Sequence, residues 1–179
     1  MRYLMFPLVC SSLLAQEPQR DIAQWIIRQG GGVITAGSTG PIRDLERLPP
    51  GEFRIEVADF TGTLITPDDL KRIRHLDSIR ELFLPASMWN EGAGSKRDSG
   101  EAFEYLAGLK TLTKLHLSVH FLTNISVQDK GITLLSPLSG LRELRMSQTR
   151  IKGKSLAPFV NMRALDLSYT PFDDEGMAA

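Results

Sequence analysis

Leu106-Ala107-Gly108-Leu109-Lys110-Thr111-Leu112-Thr113-Lys114-Leu115-His116-Leu117 is the stretch that decides the fold of this chain. Its leucines advance in steps of three and then in one step of two. Steps of three suit a helical or 3₁₀ segment, and the step of two suits a strand. The same spacing recurs at Ile73-Leu76-Ile79-Leu82-Leu84, Leu135-Leu138-Leu141-Leu144-Met146 and Leu156-Phe159-Met162-Leu165-Leu167. A weaker copy, Ile55, Ala58 and Phe60, precedes them. A repeated switch from helical to strand period predicts an α/β solenoid of strand-plus-helix units.

The last apolar position of each strand sets the repeat length. Phe60 to Leu84 is 24 residues, Leu84 to Leu117 is 33, Leu117 to Met146 is 29 and Met146 to Leu167 is 21. The basic unit is therefore about 24 residues, with insertions in two units. Helix-start chemistry follows the strands. Thr66-Pro67-Asp68-Asp69 combines a capping hydroxyl, a proline suited to the first helical position and acids that complement the dipole. Asp98 or Ser99 before Glu101, and Asp129 before Ile132, read similarly. Ser155-Leu156-Ala157-Pro158 leaves room for only a turn or two.

Outward from the repeats, residues 18–29 predict an amphipathic helix with Ile22, Trp25 and Ile26 on one face. Gly30-Gly31-Gly32 stops it, and Val33-Ile34 reads as a short strand. Residues 16–52 are expected to form an atypical N-terminal cap over the open end of the stack. Residues 1–15 are different in kind. A basic Met1-Arg2 start, an apolar run from Tyr3 to Leu14 and a small residue at Ala15 resemble a secretory signal peptide. A buried first helix is the alternative reading of that run. A secreted or periplasmic location follows from the export reading. The single cysteine, Cys10, lies in this run and offers lipid anchoring as an alternative. Cleavage at Ala15 would leave no thiol, which excludes a disulfide framework.

The chain has 179 residues, with 21 basic and 21 acidic side chains, so its formal charge is zero. That balance argues against a general nucleic-acid or anionic-membrane surface, which needs a clustered basic excess. The apolar segments are also too short for a membrane-spanning helix.

Residues 53–177, about 70% of the chain, resemble a leucine-rich-repeat domain and are most similar to bacterial extracytoplasmic versions. The resemblance rests on the spacing above and on a Thr-x-Ile-Thr-Asp-like turn. That turn reads Thr63-Leu64-Ile65-Thr66, Thr149-Arg150-Ile151 and Thr170-Pro171-Phe172-Asp173-Asp174-Glu175-Gly176-Met177. It implies about five repeats over residues 53–179, a curved parallel sheet on the concave side and short helices or 3₁₀ turns on the convex side. The family's asparagine three residues after the last strand leucine is missing. Thr63, Thr149 and Thr170 stand there, with Ser87 and His120 in the inserted units, and a hydroxyl can bond the turn backbone instead. The last unit lacks its strand, so the repeats read as incomplete at the C-terminus. A fragment, a truncated product or self-association through that end are the expectations.

Strand side chains alternate, so residues flanking the leucines should line the concave face. One column is Val57, Glu81, Lys114, Glu143, Ala164, and the other is Asp59, Phe83, His116, Arg145, Asp166. Glu81-Lys114-Glu143 alternates in sign, as does Arg145-Asp166. One reading is a charge ladder that keeps the sheet solvated. The other is a recognition face built from Glu81, Phe83, Lys114, His116, Glu143, Arg145 and Asp166, in which aromatic and arginine side chains act as anchors. The insertions at 87–100 and 118–128 should lie side by side on one rim. Trp89, His120 and Phe121 are the rim candidates, for binding or for packing on each other or on the solenoid edge.

Catalysis finds no constellation. His75, His116 and His120 lack metal-ligand spacing, no phosphate-binding glycine loop opens a helix, and no nucleophile elbow is present. No metal and no cofactor are expected, and the chain does not read as an enzyme. Asn124-Ile125-Ser126 fits a glycosylation pattern. The sequence thus predicts a module that binds a protein or peptide through its concave face and rim loops. The alternative is a non-catalytic repeat segment of a larger secreted or envelope enzyme or receptor whose other domain lies beyond residue 179.

Overall fold

The computed structural model describes residues 18–90, 98–118 and 125–178. The leader-like run 1–15 with Cys10, the loop core Gly92 to Lys96, and His120, Phe121 and Asn124 lie outside the described residues.

The chain is mixed α/β. Its strands are β1 (Gly32–Thr35), β2 (Ile55–Asp59), β3 (Glu81–Pro85), β4 (Lys114–Ser118), β5 (Glu143–Arg145) and β6 (Ala164–Asp166). They form one open six-stranded sheet whose spatial order is the chain order. β1 runs antiparallel to β2, and every later pair is parallel. The expected short strand at Val33-Ile34 is therefore the antiparallel edge of the sheet.

Parallel neighbours need a crossover, and the steps of three supply it. Helix α1 (Gln19–Arg28) packs on β1 and β2 through Ile22, Ala23, Trp25, Ile26 and Ile27. Beyond it, the crossovers hold 3₁₀ turns at Pro67–Arg72, Ser99–Tyr105 and Lys154–Leu156 and the short helix α2 (Asp129–Thr133), and a short helix α3 (Asp174–Met177) follows β6. These segments touch one another in chain order and so make a second layer beside the sheet. The apolar positions face each other between the layers. Leu82, Leu115 and Leu144 are fully buried from the strand side, and Ile73, Leu106 and Leu135 from the crossover side.

The threonines three residues beyond the last apolar strand positions close the turns. Thr63 Oγ1 donates to Phe60 O at 2.8 Å, Thr149 Oγ1 to Met146 O at 2.9 Å, and Thr170 Oγ1 to Leu167 O at 2.7 Å. Each hydroxyl thus satisfies a carbonyl at a strand end, where the parallel ladder no longer does so. Just beyond Thr63, at the start of the 3₁₀ segment, Thr66 donates from its backbone N–H and its hydroxyl to Asp69 Oδ2, at 2.7 and 2.8 Å.

Candidate functional site

Backbone pairing places the polar residues in two rows. Val57, Glu81, Lys114, Glu143 and Ala164 are partners across successive ladders, and so are Asp59, Phe83, His116, Arg145 and Asp166. Adjacent strands lie about 4.8 Å apart, so neighbours in a row touch. The two columns read from the alternation are these two rows. They occupy the face of the sheet away from the buried leucines.

Glu143 is the hub of this face. His116 Nε2 lies 2.9 Å from Glu143 Oε1, Arg145 Nη2 lies 2.8 Å from the same oxygen, and Lys114 Nζ lies 3.7 Å from Oε2. Lys114 also reaches Glu81 Oε2 at 3.2 Å. The expected alternation Glu81-Lys114-Glu143 is therefore made. Arg145 and Asp166 are ladder partners but do not pair through their side chains. Arg145 turns to Glu143, two residues back on its own strand. The Asp166 carboxylate is taken by the Ser168 hydroxyl at 2.7 Å and the Ser168 N–H at 3.0 Å.

Electrostatics follow from this geometry. Burial pushes the His116 imidazole below its ordinary 6.5, the bond to Glu143 offsets this only in part, and the charges of Arg145 and Lys114 lower it further. At neutral pH His116 is uncharged and donates its Nε2–H to the carboxylate. Burial works against ionisation of Glu143, yet the His116 hydrogen bond and the surrounding positive charges outweigh it and hold Glu143 below its ordinary 4.5. The Ser168 bonds hold Asp166 below 3.8. Phe83 meets the His116 ring edge to face, with centroids 4.9 Å apart.

The rim is arranged differently from the binding reading of Trp89. Its indole is fully buried and packs on Phe103 with centroids 4.8 Å apart. Trp89 is thus a core side chain and presents no surface to a partner, because a large indole gains more by burial against another aromatic ring than by exposure. The two insertions do adjoin: Asn90 and Ile125 form an isolated antiparallel bridge, and Ser126 N donates to Trp89 O at 3.2 Å.

Two features were not foreseen. The first is a set of aspartates that clamp one crossover to the next. Asp98 accepts from Gly100 N, Gln128 N and Gly131 N at 2.9, 3.0 and 2.8 Å. Asp129 accepts from Lys152 N, Gly153 N and the Ser155 hydroxyl at 2.8, 3.0 and 2.7 Å. Burial opposes its ionisation, but these donors together keep Asp129 below 3.8. The recurrence of Asp-x-Gly at 98–100 and 129–131 was the available signal. The second is Arg43, which reaches from the loop after β1 to pair with Asp59 at the edge of the polar face.

Among the described residues, no group of three or more His, Cys, Asp or Glu side chains could hold a metal ion. Among the same residues, no helix is long and apolar enough to cross a membrane. No protein-family model and no curated protein matches this chain.

Proposed function

We propose that this chain is a leucine-rich-repeat module that acts outside the cytoplasm and binds a protein or peptide. In this reading the sheet is the inner, concave wall of a solenoid and the crossovers are its convex side. The observation that carries it is the in-register row Phe83, His116, Arg145 beside the row Glu81, Lys114, Glu143. Together they put an aromatic side chain, a neutral imidazole and charges of both signs on one rigid surface. Such a surface suits a polypeptide, which offers apolar, acidic and basic groups in sequence. The apolar leader at residues 1–15 supports the extracytoplasmic location. The module is non-catalytic in this reading and needs no cofactor.

The test is capture by the immobilised protein from an extracytoplasmic extract. Arg145 is 55% exposed in its side chain, so Arg145→Glu should leave the melting temperature within a few degrees. It should also remove most of the captured partner. Undiminished capture by a folded Arg145→Glu variant overturns the reading.

A second reading is favoured by a different surface. Leu165 is 45% exposed where its ladder partner Leu144, and Leu115 one strand further on, are fully buried, and Val160, Tyr169 and Met177 of the same last unit are also exposed. In that reading the chain is the repeat segment of a larger assembly, with another folded unit on this face. Light scattering on the purified protein tests it, since a monodisperse monomer at high concentration would exclude self-association there.

A further inference from the structure

A recess of about 230 Å³ opens on the polar face between β1, β2 and β3. Two ladder rows frame it: Gly32, Asp59 and Phe83 in one, and Ile34, Val57 and Glu81 in the other. It exists because Gly32 places no side chain in its row. Arg43 lies across that glycine, and a Cβ added there would meet Arg43 Cγ at 3.0 Å. Ile34, Pro41, Val57 and Phe83 make most of the lining apolar.

The charges at the mouth are already spoken for. Arg43 pairs with Asp59, and Glu81 pairs with Lys114 at 3.2 Å. A charged occupant would therefore lack a free counter-ion in a partly desolvated site, and that arrangement is costly. A neutral occupant leaves both pairs intact, and the pairs then form the polar ring that excludes water around an apolar anchor. The volume is below the roughly 300–1,000 Å³ of a small-molecule pocket. It matches a single large side chain.

We propose that this recess is the anchor site of the polar face, taking one large, neutral aliphatic or aromatic side chain of a protein partner. The inference rests on the protein-binding reading above and adds what the partner must present. Phe83 forms one wall of the recess and also contacts His116, which joins the anchor site to the charged hub at Glu143.

Methyl-detected NMR of the full chain tests it with three indole probes: neutral N-acetyl-tryptophanamide, cationic tryptamine and anionic N-acetyl-tryptophan. The neutral probe should shift the methyls of Ile34 and Val57 saturably, with the charged probes at least about fivefold weaker. Val57→Lys should abolish the shifts. Asp59→Asn, which keeps the acceptor for Thr61 N and should leave the fold intact, removes the carboxylate partner of Arg43 in the lining and should bring N-acetyl-tryptophan above tryptamine. Absent shifts, equal binding of the three probes, or an unchanged order in Asp59→Asn would each overturn the proposal. Capture that still depends on Arg145 while the recess stays silent would overturn the anchor and leave the broader reading standing.

Discussion

Asp98 and Gly131 lie 33 residues apart in sequence, yet Asp98 Oδ2 accepts the backbone N–H of Gly131 at 2.8 Å. One carboxylate thereby orients the first turn of α2 against the turn before it. Because Asp98 is only 9% exposed, water cannot replace the bonds it makes to Gly100, Gln128 and Gly131. Asp98→Ala leaves those buried donors short of an acceptor and should cost about 3 kcal/mol. Urea denaturation checks this, and a loss no larger than that of an exposed control such as Asp68→Ala would count against it.

Gly131 and Gly100 are in backbone contact. A Cβ on Gly131 would lie 2.6 Å from Gly100 Cα, and backbone cannot swing aside as a side-chain tip can. Gly131→Ala should therefore destabilise the chain by about 1–3 kcal/mol, although alanine favours helix over glycine. Gly40→Ala, where no atom stands within 4 Å and φ is not positive, is the matched control and should be near neutral. The comparison is made by thermal melts of the two variants side by side.

The turn threonines should show their role by the hydroxyl alone. Thr149 is buried, and its Oγ1 donates to Met146 O at 2.9 Å. Thr149→Val keeps the shape and removes the donor, for a loss of about 1–2 kcal/mol. Thr149→Ser keeps the donor and should recover most of that loss. A valine variant more stable than the serine variant would show that the methyl group is the part that matters.

Acidification should lower the stability of the protein in two stages. The folded chain resists protonating His116, whose ordinary value is 6.5, because burial and the neighbouring cations oppose the charge. As the pH drops below about 6.5 the unfolded chain takes up this proton first, so stability falls until the lower folded-state value is reached. Glu143, Asp129 and Asp166 are held below 4.5, 3.8 and 3.8 respectively. Their contribution is complete above those ordinary values and is lost as pH falls through the folded ones. Urea midpoints measured from about pH 8 to about pH 3 would show both stages. His116→Gln should erase the upper stage only, and a surviving upper stage would assign it elsewhere.

The leucine spacing was enough to place the strands and crossovers, because a switch of period from three to two forces a matching switch of backbone if the apolar groups are to be buried together. The alternation around the leucines likewise placed Glu81, Lys114 and Glu143 in one row and Phe83, His116 and Arg145 in the next. Those are local consequences of backbone geometry, and the chain carries them in its own order. The tertiary structure alone decided which side chains meet. Arg145 faces Asp166 in the ladder yet turns to Glu143, since Ser168 already holds Asp166. Trp89 goes inward onto Phe103. The recess at Gly32 needs Arg43 laid across it from a loop that no period predicts. Spacing along a chain determines faces and registers, whereas a contact depends on how competing partners are satisfied in three dimensions.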